Sequence, residues 1–498
     1  MTENNENRSG ASILNPPLPY AMKERVERAA RDVQLQQFVN SAADGKNTKR
    51  LASFHDVFGD RYAEVRKLAG RIKQHTLDHL DYYLDTFVDR AEENGIRVHF
   101  ASDARQANQL CLSIANSRSC KLCVKSKSMV TEECGLVPEL IAAGISTIET
   151  DLGEFIVQLD DDAPAHIVTP MIHKDRKQVA RAFVRELGAE YEEDPQRLTK
   201  IARKYMREQF RQADLGISGA NFLIAETGSM VLCTNEGNGC FSTSVPPVHI
   251  AVVGIEKVIP KAEYLGLFLK LLARSSTAQP ITVYTTIISG PRRERETDGP
   301  EEMHLILVDN GRTELLREET REMLRCIRCG ACLNACPVYR KVGGGHAYGA
   351  VYSGPIGAVI TPLFKGISNY PDLPQASSLC GACHEACPVD IDIPRHLIRL
   401  RRELVSAHQI GFFERNVYKL WAKSLSNPLL YRGSQVLGRW GARMIGQTRN
   451  GLREPMQNVK WIRNAPGPLK GWTIHRDLPT PTSERFRDWW KRNRGGQS

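Results

Sequence analysis

The chain has 498 residues, enough for two or three domains that each bury a core. Its hydrophobic content of 41% and charged content of 25% are ordinary for a globular protein and exclude a low-complexity chain. The formal net charge of +10 is uneven, since residues 401–498 hold 19 Lys and Arg against 6 Asp and Glu.

The N-terminal stretch MTENNENRSGASILNPPLPY is polar and interrupted by proline, so it does not have the apolar region of a signal peptide. No run approaches the roughly 18 apolar residues of a membrane helix. We therefore expect a cytoplasmic protein. In that reducing compartment the 13 cysteines favour metal ligands over disulfides.

Residues 1–55 are predicted to form a polar extension, frayed at first and ending in a short helix. A long amphipathic helix is predicted over 60–94. Apolar, β-branched strands then alternate with amphipathic helices, which is typical of an α/β domain with a mostly parallel sheet, assigned to 56–300. The predicted strands are 98–101, 155–159, 222–226, 229–234, 249–255 and 281–289; the main predicted helices are 107–117, 176–188, 197–214 and 262–276. The charged segment 290–302 is predicted to be a linker or an exposed loop.

Two stretches in a predicted helical region, 301–400, are near copies of each other. Residues 326–337 read CIRCGACLNACP and residues 377–388 read SSLCGACHEACP. The first has the spacing C-x2-C-x2-C-x3-C-P of bacterial proteins with two [4Fe-4S] clusters, in which the fourth cysteine binds the other cluster. This rule predicts cluster one on Cys326, Cys329, Cys332 and Cys387, and cluster two on Cys336, Cys380 and Cys383.

Zinc is the alternative metal, because C-x2-C pairs also build structural zinc sites. Zinc ribbons do not need the central C-x2-C-x2-C run or the repeated Cys-Pro, so the spacing favours clusters. Arg328 and His384 are candidates for raising a cluster's potential, although such side chains are more often simply solvated.

Cluster two lacks a fourth cysteine, because Ser377 stands where the repeat has Cys326. Three interpretations remain open: a serine alkoxide ligand, a three-iron cluster, or an iron left open for water, substrate or a partner's group. A cysteine from elsewhere, such as Cys120 or Cys123, is a further alternative. An open or externally completed site is slightly favoured, since serine is a hard ligand for iron beside thiolates.

Several longer motifs resemble one family. The tandem CGAC repeat, the insert GGGHAYGAVYSGPIGAVITPLF at 343–364 and the block GANFLIAETGSMVLCTNEGNG at 219–239 are similar to the iron–sulfur subunit of bacterial L-lactate utilisation systems, the lactate utilisation protein B family. The resemblance covers about residues 55–498. It implies a cytoplasmic subunit that works with two other subunits to oxidise L-lactate to pyruvate. Cys120, Cys123 and Cys134 are not part of the family pattern.

The resemblance also implies an α/β domain similar to sugar-phosphate isomerases and CoA transferases. A glutamate near a strand end is the nucleophile in CoA transferases, and Glu226 has a comparable setting, although capping a turn is the more ordinary role. Lys125, Lys127 and Ser128 beside a predicted helix are candidates for binding an anionic cofactor or substrate, or form a solvated charge run. No dinucleotide motif is present in a strand–turn–helix context.

The predicted C-terminal domain, 401–498, is basic and contains all six tryptophans. Its composition favours docking on a partner subunit first, an anionic membrane surface second, and single-stranded nucleic acid third, so no nucleic acid is expected. His173 and His249 are isolated in sequence and are predicted to be structural.

The sequence thus predicts an electron-transfer subunit of a multi-component L-lactate dehydrogenase that does not use NAD. The same role with another 2-hydroxy acid, such as glycolate, is the nearest alternative. A CoA-type transferase carrying clusters and a nucleic-acid-binding protein are alternatives of different classes.

Overall fold

The computed structural model describes residues 13–317, 319–407, 411–447, 459–473, 476–482 and 484–494. The chain divides into two compact units, with the division after residue 407. The first unit contains the α/β region and both cysteine stretches, and the second contains the basic tail.

The α/β region is built on a parallel sheet that has six strands among the described residues. Their order in the sheet is β1 (Arg97–Ala101), β10 (Glu302–Val308), β7 (Val248–Gly254), β4 (Leu215–Ser218), β2 (Leu122–Lys125) and β3 (Ser146–Glu149). Strand β7 pairs with β10 on one side and β4 on the other, and all its residues are buried. Such continuous apolar strands are typical of a parallel sheet covered on both faces. The other described strands of the first unit are β5 (Phe222–Ile224), β6 (Ser229–Thr234), β8 (Val258–Ile259) and β9 (Tyr284–Ile288).

A second, mixed sheet has the order β8-β5-β6-β9 within the described part of the chain. The β5–β6 pair is antiparallel, with Ile224 opposite Ser229, so the predicted strand pair across Thr227 and Gly228 is confirmed. The predicted α/β class with a mostly parallel sheet is confirmed as well.

Three predictions about local structure were wrong. The segment predicted as a strand at 155–159 is a helix, Leu152–Leu159, because the Asp151 carboxylate accepts hydrogen bonds from the first free N–H groups of that helix. The long helix predicted over 60–94 is interrupted at His79. The region 1–55 is more than a polar extension, since it includes most of a 26-residue helix, Val33–Phe58, with a buried face.

The expected boundary at residue 300 is also displaced. Strand β10 lies inside the parallel sheet, between β1 and β7, so the α/β region extends through residue 308. The charged segment 290–301 connects β9 with β10, so it lies within the α/β region and does not end it. The helices of the first unit are Lys23–Arg31, Val33–Phe58, Tyr62–Asp78, Leu80–Glu93, Ala104–Ser117, Met129–Cys134, Leu136–Ala142, Leu152–Leu159, Arg176–Leu187, Pro195–Gln212, Asn238–Ser244, Ala262–Thr277, Arg312–Leu316, Ala331–Ala335, Tyr339–Val342, Gly345–Tyr348, Gly354–Lys365, Ala382–Ala386 and Ile393–Ser406.

The second unit begins with two helices, Phe412–Ser426 and Pro428–Ile445, that pack against each other. Both expose large apolar side chains, including Trp421 and Trp440. The rest of the described tail has a two-stranded pairing of Trp461–Ile462 with Leu478–Pro479 and a final helix, Phe486–Arg494. None of the helices described in either unit is long and apolar enough to cross a membrane.

Candidate metal centres

Four cysteines from the two repeated stretches meet in one cavity. Its lining includes Cys326, Cys329 and Cys332 of the first stretch and Cys387 of the second, which is the set that the exchange rule predicts for cluster one. The remaining walls are mostly apolar; they include Ile167, Ile327, Ile356, Pro388, Val389, Ile391 and Ile393. A dry, thiol-lined cavity of this kind suits an iron–sulfur cluster, because thiolates bind the iron and apolar walls keep water away.

Three thiols of this cavity, those of Cys329, Cys332 and Cys387, are buried, and burial disfavours the free thiolate. Burial raises the pKa of Cys329 to about 12 and that of Cys387 to about 11. Burial also raises the pKa of Cys332 well above its usual range, and the neighbouring thiolates, including Cys383, raise it further. A bound metal cation would offset this effect and favour the thiolate form of these three side chains.

Backbone N–H groups point at the sulfur atoms of both stretches. The N–H of Arg328 lies 3.4 Å from Sγ of Cys326, and that of Ile391 lies 3.4 Å from Sγ of Cys387. Sγ of Cys336 accepts from the N–H of Tyr339 at 3.5 Å. Such N–H···S bonds stabilise metal-bound thiolates, and hydrogen bonds to sulfur also set a cluster's potential.

The second group of cysteines lies nearer the surface. Burial raises the pKa of Cys336 and Cys383, and negative charge on Cys380 raises both further. The short helix before Cys336, Ala331–Ala335, packs against the helix that contains Cys383, Ala382–Ala386. Cys380 itself is exposed and Ser377 is half-buried. The structure thus brings together the three cysteines predicted for cluster two.

The helix Tyr62–Asp78 holds the second stretch in place. Arg66 donates hydrogen bonds to the carbonyls of Cys387 at 2.7 Å and His384 at 2.6 Å, and pairs with Asp390 at 2.9 Å. A side chain at Gly70 would collide with the carbonyl of Val389, so the helix approaches the cysteine loop closely. His384 is partly exposed and lies 3.4 Å from Asp390.

A buried ion-pair network begins at the carboxyl ends of two central strands. Arg312, after β10, is 0% exposed and binds Glu133 through both terminal nitrogens, at 2.9 and 3.0 Å. Its Nε donates to Glu256, after β7, at 2.6 Å. Burial alone would raise the pKa of Glu256, but the cations Arg312, Lys257 and Arg328 together outweigh it, and the pKa falls to about 2.

This network continues to the first cysteine stretch through Arg328. Its guanidinium is buried, lies 3.7 Å from Oε1 of Glu256 and stacks 4.6 Å from the ring centre of Tyr352. The sequence favours a solvated Arg328, but the structure places it as a buried cation in the wall of the cysteine cavity. Lys73 donates to the carbonyl of Glu256 at 2.5 Å, and burial lowers its pKa to about 7.

A polar cluster missed by the sequence analysis joins the insert at 343–364 to the α/β region. Asp162 accepts hydrogen bonds from His173 at 3.0 Å and His346 at 2.6 Å, and pairs with Lys174 at 2.7 Å. Burial raises the pKa of Asp162, but the two histidine hydrogen bonds outweigh it, so the pKa lies well below its usual range. His173, expected to be isolated, is part of this cluster; the Lys174 ammonium already supplies a cation and disfavours a metal ion. Only the fold brings these distant positions together.

The structure places the other predicted site residues outside the cysteine cavity. Glu226 is exposed, and its carboxylate accepts the N–H of Ala262 at the start of a helix, 3.0 Å away. Its catalytic role stays a prediction, and the observed contact is that of a helix cap.

Lys125 is fully buried and pairs with Glu149 at 2.7 Å, so that carboxylate already occupies its ammonium. Lys127 lies 3.4 Å from Glu154, and Ser128 caps the short helix Met129–Cys134. An anion-binding role for these three residues stays a prediction. The ammonium groups of Lys125 and Lys127 already face carboxylates of this chain. His249 is buried and bonds Ser218 at 2.8 Å, as a structural histidine would.

Four of the six cysteines outside the two stretches pack in a different core. Cys111, Cys120, Cys123 and Cys134 are buried in an apolar core around β2, β4 and β7, whereas cluster cysteines such as Cys329 and Cys383 belong to a different core. Cys120 and Cys123 are therefore not placed to complete cluster two.

Comparison with known families accounts for most of the chain. Residues 84–308 match the LUD domain, residues 322–391 match a 4Fe-4S dicluster domain, and residues 406–494 match the C-terminal domain of lactate utilisation protein B. The dicluster match spans both cysteine stretches, which supports iron–sulfur clusters as the metal group. A crystal structure of a DUF162 family protein from Deinococcus radiodurans covers 46% of this chain and 98% of its own at 14% identity, with a TM-score of 0.27, too low to support an argument.

Curated relatives match almost the whole length. Lactate utilization protein B of Shouchella clausii is 44% identical over 94% of this chain and 96% of its own. The protein of the same name from Bacillus cereus strain AH820 is 42% identical over 95% of this chain and 97% of its own. With the two cysteine groups gathered as described, the chain belongs to the lactate utilisation protein B family.

Proposed function

We propose that this chain is the iron–sulfur electron-transfer subunit of a multi-component complex that oxidises L-lactate to pyruvate. The observation that carries the proposal is that the two cysteine stretches fold together. Cys326, Cys329 and Cys332 of the first line one cavity with Cys387 of the second, and the short helices that hold Cys332 and Cys383 pack against each other. Two clusters held this close would pass electrons directly between them.

In this proposal Cys326, Cys329, Cys332 and Cys387 hold cluster one, and Cys336, Cys380 and Cys383 hold cluster two. Oxidation of lactate to pyruvate releases two electrons and two protons. Because an iron–sulfur cluster accepts one electron at a time, two clusters together would take up both electrons. The exposed Cys380 favours cluster two as the point where electrons enter or leave, because a partner's redox group can approach it.

The chain's own charged groups would set the working conditions of cluster one. The buried guanidinium of Arg328 favours the more negative, reduced state and therefore raises the reduction potential. Its partner Glu256 counters part of this effect, and Arg312 in turn neutralises Glu256. Through these contacts the carboxyl ends of β7 and β10 are connected to the cluster.

The partners in this proposal are two other subunits of a lactate utilisation system. The relatives' names support the system, and the basic helices with exposed apolar residues, Phe412–Ser426 and Pro428–Ile445, support a docking role for the tail. Association with a membrane surface is the second candidate for this tail.

The test is reduction of the clusters by substrate. Anaerobic protein, mixed with its two partner subunits, is treated with L-lactate and frozen for EPR, and the same mixture is treated with glycolate. We expect cluster signals with L-lactate and none from this chain mixed with lactate alone. Reduction by glycolate only would favour the alternative substrate, and bound zinc without iron would refute the electron-transfer role.

Glu226→Gln is tested in the same assay. Lactate-dependent dye reduction at the wild-type rate would show that Glu226 is not catalytic. Loss of activity with intact cluster spectra would support a role in chemistry.

A further inference from the structure

The two cysteine stretches repeat each other in backbone conformation as well as in sequence. Arg328 and Leu379 stand at matching positions and both have positive φ, 59° and 54°. Two residues later each half has a glycine of positive φ, Gly330 or Gly381. A short helix follows directly, Ala331–Ala335 or Ala382–Ala386. The repeat therefore predicts equivalent side-chain positions in the two halves.

Ser377 occupies the position of Cys326 in this repeat. The N–H of Leu379, two residues on, donates to Oγ of Ser377 at 3.1 Å. In the first half, the N–H of Arg328 donates to Sγ of Cys326 at 3.4 Å. The serine oxygen thus receives the hydrogen bond that stabilises a ligand sulfur in the other half.

The Ser377 turn is held firmly by a neighbouring helix. Arg401 donates from Nη2 to the carbonyl of Ser377 at 3.0 Å and from Nε to the carbonyl of Pro374 at 2.8 Å. Two donors from one planar guanidinium fix the backbone of the turn. The hydrogen bond from Leu379 then orients the hydroxyl of Ser377 on this fixed backbone.

We propose that Oγ of Ser377 is the fourth ligand of cluster two. On binding, the O–H bond breaks, an Fe–O bond forms, and the proton leaves to solvent beside the exposed Cys380; no electron is transferred in this step. The N–H of Leu379 stabilises the resulting alkoxide. A hard oxygen ligand also makes this iron the more labile one and lowers the reduction potential of cluster two.

Tyr348 is the competing oxygen. Its phenol is fully buried and has no hydrogen-bond partner among the described residues; burial, followed by nearby groups that include the thiolates of Cys336 and Cys332, raises its pKa. Nothing in the repeat matches Tyr348 to a ligand position, so we assign its O–H to a hydrogen bond toward the cluster's sulfur atoms rather than to coordination. Tyr348→Phe is therefore a matched control that removes an oxygen near the same cluster.

The experiment measures iron content and EPR spectra of the full chain, purified without oxygen and reconstituted with ferrous iron and sulfide. Two complete clusters correspond to about eight irons per chain. We expect that value for the wild type and for Ser377→Cys and Tyr348→Phe, with a higher reduction potential for cluster two in Ser377→Cys. Ser377→Ala is expected to hold about seven irons and to show a three-iron signal when oxidised.

Ser377→Ala with the iron content and spectra of the wild type would overturn the inference, as would a three-iron signal in the reconstituted wild type. Loss of iron in Tyr348→Phe, with none in Ser377→Ala, would assign the ligand to the tyrosine instead. The inference rests on the two-cluster assignment of the proposed function. A wild-type chain without iron would refute that assignment itself, so the two failures are distinguishable.

Discussion

Replacing Arg312 with methionine should destabilise the first unit strongly. Arg312 is 0% exposed, and its three guanidinium nitrogens bind the buried carboxylates of Glu133 and Glu256 over 2.6–3.0 Å. The substitution keeps most of the side-chain volume but removes the cation that binds both carboxylates, leaving Glu256 with only the more distant Arg328, at 3.7 Å. Removing one partner of a buried ion pair costs about 3–5 kcal/mol. Because one arginine serves two carboxylates, we expect the upper part of that range.

The assay is urea unfolding of the cluster-loaded protein at pH 7 without oxygen, followed by circular dichroism. Arg90→Met is the matched control, because Arg90 forms a 2.7 Å pair with Glu93 on the surface and should leave the unfolding midpoint unchanged. Adding Glu133→Gln and Glu256→Gln to Arg312→Met should restore much of the lost stability. A loss below about 1 kcal/mol for Arg312→Met would refute the reasoning, since it would mean that the buried carboxylates are neutralised by other groups.

The remaining predictions concern packing, pH and iron. Gly344→Ala should lower the thermal midpoint clearly, because its Cβ would overlap the backbone of the α/β region, whereas Gly266→Ala, in a helix with open space, should raise stability by about 0.5–1 kcal/mol. Burial would raise the pKa of Glu322, but its hydrogen bonds to His396 and to the N–H of Asp392, together with nearby cations, lower it to about 2. Its contribution to stability is therefore full above about pH 4.5 and is lost as the pH falls towards 2. Glu322→Gln should weaken this pH dependence of the unfolding midpoint, and a pH profile identical to that of the wild type would contradict the linkage. Removing iron with a chelator and oxidant should lower the thermal midpoint and make Cys380 the first cluster cysteine labelled by iodoacetamide; equal labelling with and without iron would contradict its role as a ligand.

Local sequence patterns were enough where one segment determined its own structure. The strand pair across Thr227 and Gly228 and the helix Ala262–Thr277 were predicted correctly because turn residues and apolar periodicity are local signals. The prediction failed at 155–159, where an apolar run is compatible with either a strand or a buried helix. The segment is a helix because Asp151 caps its N-terminus, and an aspartate just before an apolar run is a helix-start signal in the sequence itself.

The buried charges illustrate what local patterns do not contain. Glu133, Glu256 and Arg312 are far apart in sequence, and each alone is indistinguishable from a surface charge. Burial turned them into one network because parallel strands end at the same edge of a sheet. The same holds for Asp162 and His346, which are 184 positions apart and share a hydrogen bond.

The type of metal group can be read from the cysteine spacing, because that spacing is set by how a short loop wraps a cluster. The sequence also determined the α/β class through the alternation of strand and helix patterns. The spacing rule also predicted the four cysteines that line the cavity. The packed chain was needed to show that Cys120 and Cys123 lie in another core, and that Ser377 presents its oxygen as Cys326 presents its sulfur. These are distances between remote positions, and they exist only after the chain has packed.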